Sequence, residues 1–191
     1  IFLPYGIWHR ETLQLLLDVE LLELFHPYPV KEWILHARIR EDYYKYEPRL
    51  DAFEVAAKKS PFPLCYNGDI FSVADYERIC QRFPRIQSVM LGRGLMANPA
   101  LVRQIQGGSP CTKEEFLSFH HRICHGYEET MSGDRNVLFK MKELWAYWEN
   151  LFTGEEKRIK KIRKANSLAE YDAAVSILLE QADFASDIKK S

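Results

Sequence analysis

Two glycine-bearing tripeptides have the composition of phosphate-holding loops. Asn67-Gly68-Asp69 follows the β-rich run Pro63-Leu-Cys-Tyr-Asn67, and Gly92-Arg93-Gly94 follows Ser88-Val-Met-Leu-Gly92. Glycine lets backbone N–H groups approach an anion closely, and an arginine such as Arg93 adds a cation with two parallel donors. A third polar pair, His36 and Arg38, lies upstream in Trp33-Ile-Leu-His-Ala-Arg-Ile39. Strict strand alternation would put both on one face, opposite Leu35, Ala37 and Ile39, where a phosphate would serve them as a partner. Each tripeptide alone reads as plainly as a turn or a strand-to-helix loop. Two of them after consecutive strands, with His36 and Arg38 before them, shift the balance toward a phosphate-bearing ligand. Asn98-Pro99 opens a further helix whose N-terminus would favour an anion.

These residues must be positioned by elements of two kinds. Up to about residue 105, short β-rich runs alternate with amphipathic helical patterns at Glu11–Phe25, Leu50–Lys58 and Val73–Phe83, the last preceded by Ser72 as its cap. The strand starts lie 30 and then 25 residues apart, the spacing of βα units in a parallel sheet or barrel. Ligands of such folds bind at the carboxyl ends of strands, where the two tripeptides fall. Three strands cannot close an eight-stranded barrel, so the α/β part reads as an open layer or as the second half of a barrel. After Gly107-Gly108 the pattern turns helical. Thr112…Glu115, Thr153…Glu156 and Ser167…Glu170 have capping-box spacing, and Asp134 is placed to cap a fourth helix. Val137, Leu138, Met141, Leu144, Trp145, Trp148, Leu151 and Phe152 form one apolar stripe at helical spacing. The expected division is therefore an α/β part over residues 1–106 and an all-α bundle of about four helices over 107–191.

Composition excludes several classes. The chain has 191 residues, 26 Lys+Arg against 27 Asp+Glu, and 47% hydrophobic side chains, a folded rather than disordered balance. No apolar run is long enough for a membrane span. Cys65, Cys80, Cys111 and Cys124 form no CxxC pair, which argues against a zinc site and fits a reducing cytoplasm. There is no initiator Met and no signal-like opening, so the chain reads as if cut from something longer.

The three motifs in order, Ile34-Leu-His-Ala-Arg38, Tyr66-Asn-Gly-Asp-Ile70 and Val89-Met-Leu-Gly-Arg-Gly94 with Asn98-Pro99, resemble successive strand ends of the tRNA-dihydrouridine synthases. Leu138-Phe-Lys-Met-Lys-Glu-Leu-Trp145 resembles part of that family's C-terminal helical domain. The resemblance implies the C-terminal part of a (β/α)8 TIM-type barrel followed by a helical bundle. It implies an FMN-dependent, NADPH-driven reduction of tRNA uridine to 5,6-dihydrouridine, with hydride delivered to C6 and a cysteine protonating C5. On that basis Asn67, Gly68, Asp69, Gly92 and Arg93 would line the ribityl-phosphate site, His36 would contact the flavin, and Arg38 would lie beside them. The family's proton donor belongs to a Cys-Pro segment, and none of the four cysteines here precedes proline. Its flavin lysine also lacks a counterpart: with Gly6 aligned to the lysine motif's glycine, Phe2 and Pro4 stand in the lysine and arginine places. The chain alone is therefore expected to be catalytically incomplete.

Lys157–Lys164 places six basic residues in eight, on a helical part with 13 basic and 14 acidic side chains overall. Such a local stripe suits phosphate contacts to tRNA, although a solvated helix face is as ordinary an explanation. Lys160, Lys161 and Lys164 are the leading RNA-contact candidates, with Ile159 and Ile162 docking inward. Arg135, Lys140 and Lys142 flank Phe139, which falls opposite the apolar stripe, and form a second candidate patch. Two alternatives remain open at this point: a non-catalytic RNA-binding fragment, and a different flavin-dependent barrel oxidoreductase.

Overall fold

The computed structural model describes residues 27–38 and 46–185, so the expected helix at Glu11–Phe25 and the comparison at Phe2, Pro4 and Gly6 lie outside the described residues. The chain forms two compact units, one from residues through Ile70 together with Ala74–Gly92, the other from Phe71–Val73 with Arg93–Ser191.

The first unit holds a three-stranded parallel sheet in the order β1 (Trp33–His36), β2 (Leu64–Asn67), β3 (Ser88–Met90). Helix α1 (Leu50–Lys59) and helix α2 (Val73–Arg82) form the links between successive strands. Their buried residues Phe53, Ala56 and Ile79 recur at helical spacing, and β2 is buried through Leu64, Cys65 and Tyr66. Phe53 meets Tyr66 and Phe83 edge-on at 5.0 and 4.9 Å between ring centroids, which locks the core beneath the sheet. Cys65 is a buried strand residue, as its setting in the sequence implies.

The second unit is helical: α3 (Arg93–Ala97), α4 (Leu101–Ile105), α5 (Lys113–Thr130), α6 (Asp134–Trp148), a 3-10 turn at Glu149–Leu151, α7 (Glu156–Lys164) and α8 (Leu168–Gln181). All eight stripe residues from Val137 to Phe152 are buried. The main segment of this unit begins at Arg93, not near residue 107, because α3 and the turn after it belong to the helical core. Ala97 and Ala100 are buried there, and Trp148 Nε1 donates to the Met96 carbonyl at 2.9 Å.

Helix starts follow the expected caps only in part. Thr112 and Glu115 form the complete box on α5, and Ser167 accepts from the Glu170 N–H on α8. Thr153 does not cap α7. Gly154 takes a left-handed φ of 81° and carries the chain past it, leaving Glu155 at the cap without a side-chain bond. Asp134 lies inside the first turn of α6, because Gly133, also at φ 81°, occupies the cap position. From there its charge still suits the helix N-terminus.

The bundle core contains a polar chain with no sequence signal. Trp145 Nε1 donates to Tyr171 Oη at 2.9 Å, and that hydroxyl lies 2.7 Å from His120 Nε2. His120 is buried, and its Nδ1 finds no partner among the described residues. Burial, reinforced by His121, lowers its pKa to about 4. The unfolded state therefore binds a proton that the folded state refuses, and stability falls as pH drops from about 6.5 toward 4. The loss should reach up to about 3 kcal/mol. Urea midpoints followed by tryptophan fluorescence across that window should show it, and His120→Gln should flatten that part of the curve.

Candidate functional site

Parallel pairing fixes the geometry of the site in the first unit. His36 pairs with Asn67 and Asn67 with Met90, so the last residues of β1, β2 and β3 stand in one row at the carboxyl edge of the sheet. All three are half-buried, and Asn67 Nδ2 donates to Met90 Sδ at 3.3 Å. Gly68-Asp69 leaves the middle of that row, and Leu91-Gly92 leaves one end. Gly92 is exposed, with open space where a side chain would stand. A ligand can therefore approach the backbone there without obstruction.

Arg38 departs from the expected arrangement. β1 ends at His36, and the Arg38 N–H donates to the His36 carbonyl at 2.8 Å, a tight turn that breaks strand alternation. His36 and Arg38 therefore do not share a strand face. Arg38 instead forms a bidentate ion pair with Asp69, at 2.8 Å from Nη1 to Oδ1 and 2.6 Å from Nη2 to Oδ2. Its Nε and Nη2 also donate to the Tyr46 carbonyl at 3.1 and 2.7 Å. The pair is enclosed, with Arg38 3% and Asp69 8% exposed. Nothing in either sequence neighbourhood signals a partner 31 residues away.

Tyr66 is the other residue the sequence did not flag. Its side chain runs beneath Gly68, so a Cβ at Gly68 would lie 2.1 Å from Tyr66 Oη. Burial, with the Asp69 carboxylate as the next cause, pushes the Tyr66 hydroxyl up to about 12, so it stays protonated at neutral pH.

In the second unit, Arg93 opens α3 and places its guanidinium 5.6 Å from the centroid of the Phe71 ring, a cation–π contact. Asn98 uses its side-chain oxygen to accept the Ala100 N–H at 3.0 Å, so that donor is already satisfied within the turn before α4. Lys160, Lys161 and Lys164 are exposed on α7, while Ile159 and Ile162 are buried, as the spacing requires. The first three line a groove with Lys157, whose floor includes Ala173, Ala174 and Ile177 of α8. Arg158 and Arg163 of the same run are tied to Glu155 and Glu149. On α6, Arg135 is exposed and Phe139 is 61% exposed, with Lys140 Nζ 5.8 Å from its ring centroid. Lys140 also pairs with Glu143 at 2.8 Å. Lys142 donates to the Ala165 carbonyl at 2.8 Å, capping the end of α7.

Residues 18–186 match the family model described as dihydrouridine synthase (Dus). The chain belongs to the dihydrouridine synthase family. It is 36% identical over 84 residues to a tRNA-dihydrouridine(16) synthase of Cupriavidus necator, covering 42% of this chain and 26% of that protein. It is 28% identical over 155 residues to a tRNA-dihydrouridine(16) synthase of Neisseria meningitidis serogroup B, covering 72% of this chain and 45% of that one. The chain thus spans less than half the length of these relatives. The family match runs through both units, so the sheet edge and the helical bundle belong to one family architecture. Among the described residues of this synthase-family chain, no helix is long and apolar enough to cross a membrane.

Gly68 tests the packing of the middle loop. Tyr66 is 1% exposed and held against Phe53 and Phe83, so it cannot yield to a new methyl group. Gly68→Ala should destabilise the first unit by about 1–3 kcal/mol, the ordinary cost of overpacking. Denaturant unfolding of the purified variant checks this, and Gly92→Ala, which meets open space, should be close to neutral.

Proposed function

We propose that this chain supplies the carboxyl-terminal part of an FMN-dependent, TIM-type barrel and the helical domain of a tRNA-dihydrouridine synthase. The reaction is reduction of the C5–C6 double bond of a tRNA uridine, with NADPH as the ultimate reductant, in the cytoplasm. The uridine is at position 16, the position in the relatives' names. The observation that carries this reading is the row His36, Asn67, Met90 at one sheet edge, opening directly into Gly68-Asp69 and Gly92. That is where parallel α/β folds bind phosphorylated ligands.

The donor set fits FMN. Asn67 offers a side-chain amide, Gly92 offers backbone that a ligand can approach, Gly68 seats the loop on Tyr66, and His36 stands beside Asn67 for the ring system. Arg93 is the cation for the phosphate in this reading. When bound and reduced, the flavin supplies a hydride equivalent to C6 of the uracil. The residues of this chain bind and orient. None of Cys65, Cys80, Cys111 and Cys124 lies in a Cys-Pro segment, so the proton for C5 comes from elsewhere in the barrel. By itself the 191-residue chain should therefore bind FMN weakly or not at all. Flavin fluorescence titration tests this, and submicromolar binding would contradict an incomplete site. In a protein carrying the complete barrel, Arg93→Ala should cost about 2–3 kcal/mol of FMN affinity, as loss of a charge-assisted phosphate contact does. Asn67→Ala should reduce flavin content without unfolding. Full flavin content in both variants would move the phosphate site elsewhere.

The helical domain is the proposed tRNA clamp. Lys160, Lys161 and Lys164 face solvent and would meet backbone phosphates, which position the substrate without reading its sequence. Arg135, with exposed Phe139 and Lys140, forms the second contact patch, and Phe139 is free to stack on a base. Lys142 contributes by fixing the end of α7 as well as through its charge. Replacing Lys160, Lys161 and Lys164 with Ala should weaken tRNA binding and flatten its salt dependence by a log–log slope of roughly 0.7–0.9 per lost contact. An unchanged slope would leave α7 as a solvated face and direct attention to the patch around Arg135. Loss of dihydrouridine at position 16 in tRNA from cells lacking this protein tests the substrate assignment.

A further inference from the structure

The contact between Arg38 and Asp69 has the geometry of a brace. Its two hydrogen bonds run side by side, which fixes both the position and the plane of the carboxylate. Four of the five N–H donors of Arg38 are committed inside the protein: the one on Nε, one on Nη1 and both on Nη2. With the side chain 3% exposed, the guanidinium is aimed at protein and not at the open edge of the sheet. Asp69 is the last residue of the tripeptide Asn67-Gly68-Asp69, and its middle residue, Gly68, rests on the Tyr66 ring. The tripeptide is thus held at its centre by Tyr66 and at its end by Arg38.

We propose that Arg38 is a positioning residue for a phosphate-bearing cofactor: it sets the backbone of Asn67-Gly68-Asp69 before the ligand arrives and cancels the Asp69 charge. The inference rests on the flavin-phosphate reading given above. Preorganisation matters because a loop that must be ordered on binding spends part of the contact energy on that ordering. Neutralisation matters because a bare carboxylate in a partly buried loop repels a phosphate dianion at close range. Arg38 thereby makes the Asn67-Gly68-Asp69 backbone acceptable to an anion.

The test uses a protein carrying the complete barrel, stripped of flavin, with FMN and riboflavin as paired probes. FMN binding is followed by phosphorus NMR line broadening and by flavin fluorescence, and riboflavin binding by fluorescence alone. Arg38→Lys keeps the charge and loses the fork. It should leave the far-UV circular dichroism unchanged, weaken FMN binding at least about tenfold, and leave riboflavin affinity within about twofold, because only FMN carries the phosphate. If Arg38→Lys fails to fold, the double variant Arg38→Gln with Asp69→Asn carries the same comparison. It replaces the ion pair with a neutral amide pair, which a buried site tolerates better than a lone charge. A folded variant that binds FMN like the parent overturns the positioning role and leaves the flavin site standing. Equal losses for FMN and riboflavin also overturn it, by reducing the pair to general support. If the parent protein with the complete barrel gives no FMN signal up to millimolar concentration, the flavin reading fails and this inference fails with it.

Discussion

An enclosed guanidinium and carboxylate, far apart in sequence, determine how the sheet edge can be used. Each alone would be costly to bury, and neither tolerates loss of the other. Once joined, they decide where the chain can go after β1 and β2. The turn at His36–Arg38 aims Arg38 out of the strand, and the same side chain collects the Tyr46 carbonyl. Asp69 then fixes the first residues after β2. Parallel register does the rest, bringing His36, Asn67 and Met90 level by backbone bonds that do not depend on side-chain identity. The ion pair is local and the register is general, and the site needs both.

The helical unit is organised by a different constraint, namely satisfying polar groups around a large aromatic core. Phe116 packs edge-on against Trp148 and Phe152, at 5.5 and 5.6 Å between centroids, and the two tryptophans cross at 84°. Rings of this size bring N–H groups into the interior, and each of these two finds an acceptor, Tyr171 Oη for Trp145 and the Met96 carbonyl for Trp148. The second bond explains why the unit starts at Arg93. α3 is too short to be stable alone, and it persists because Trp148 and the buried alanines hold it.

Much of this was legible in the sequence where period and local chemistry govern. The strand runs, the stripe from Val137 to Phe152 and the inward pair Ile159 and Ile162 all follow from alternation or helical spacing. The caps at Thr112 and Ser167 were legible because capping is a matter of three residues. Thr153 had the same spacing and Asp134 the right side chain, and both failed for one reason: Gly154 and Gly133 take a left-handed conformation, which resets the helix start and which spacing does not encode. Arg38 failed differently. Alternation assumes that a strand continues, but β1 stops two residues before Arg38, whose guanidinium turns to the Asp69 carboxylate. The Trp145–Tyr171–His120 chain was equally invisible, since it joins three helices whose patterns look apolar or ordinary.

A basic run in a sequence reads as one feature, yet the fold divides it. Arg158 and Arg163 reach Glu155 and Glu149, and Lys142 holds the Ala165 carbonyl, so each supports a junction between helices or within one. Among the described residues, Lys157, Lys160, Lys161 and Lys164 make no ion pair, and they project from the side of α7 opposite its buried isoleucines. The division follows side-chain chemistry. The planar fork of arginine suits fixed, bidentate contacts, whereas lysine keeps a mobile, hydrated charge that can follow a phosphate backbone. The arginines of α7 therefore build the bundle, and its lysines remain in solvent.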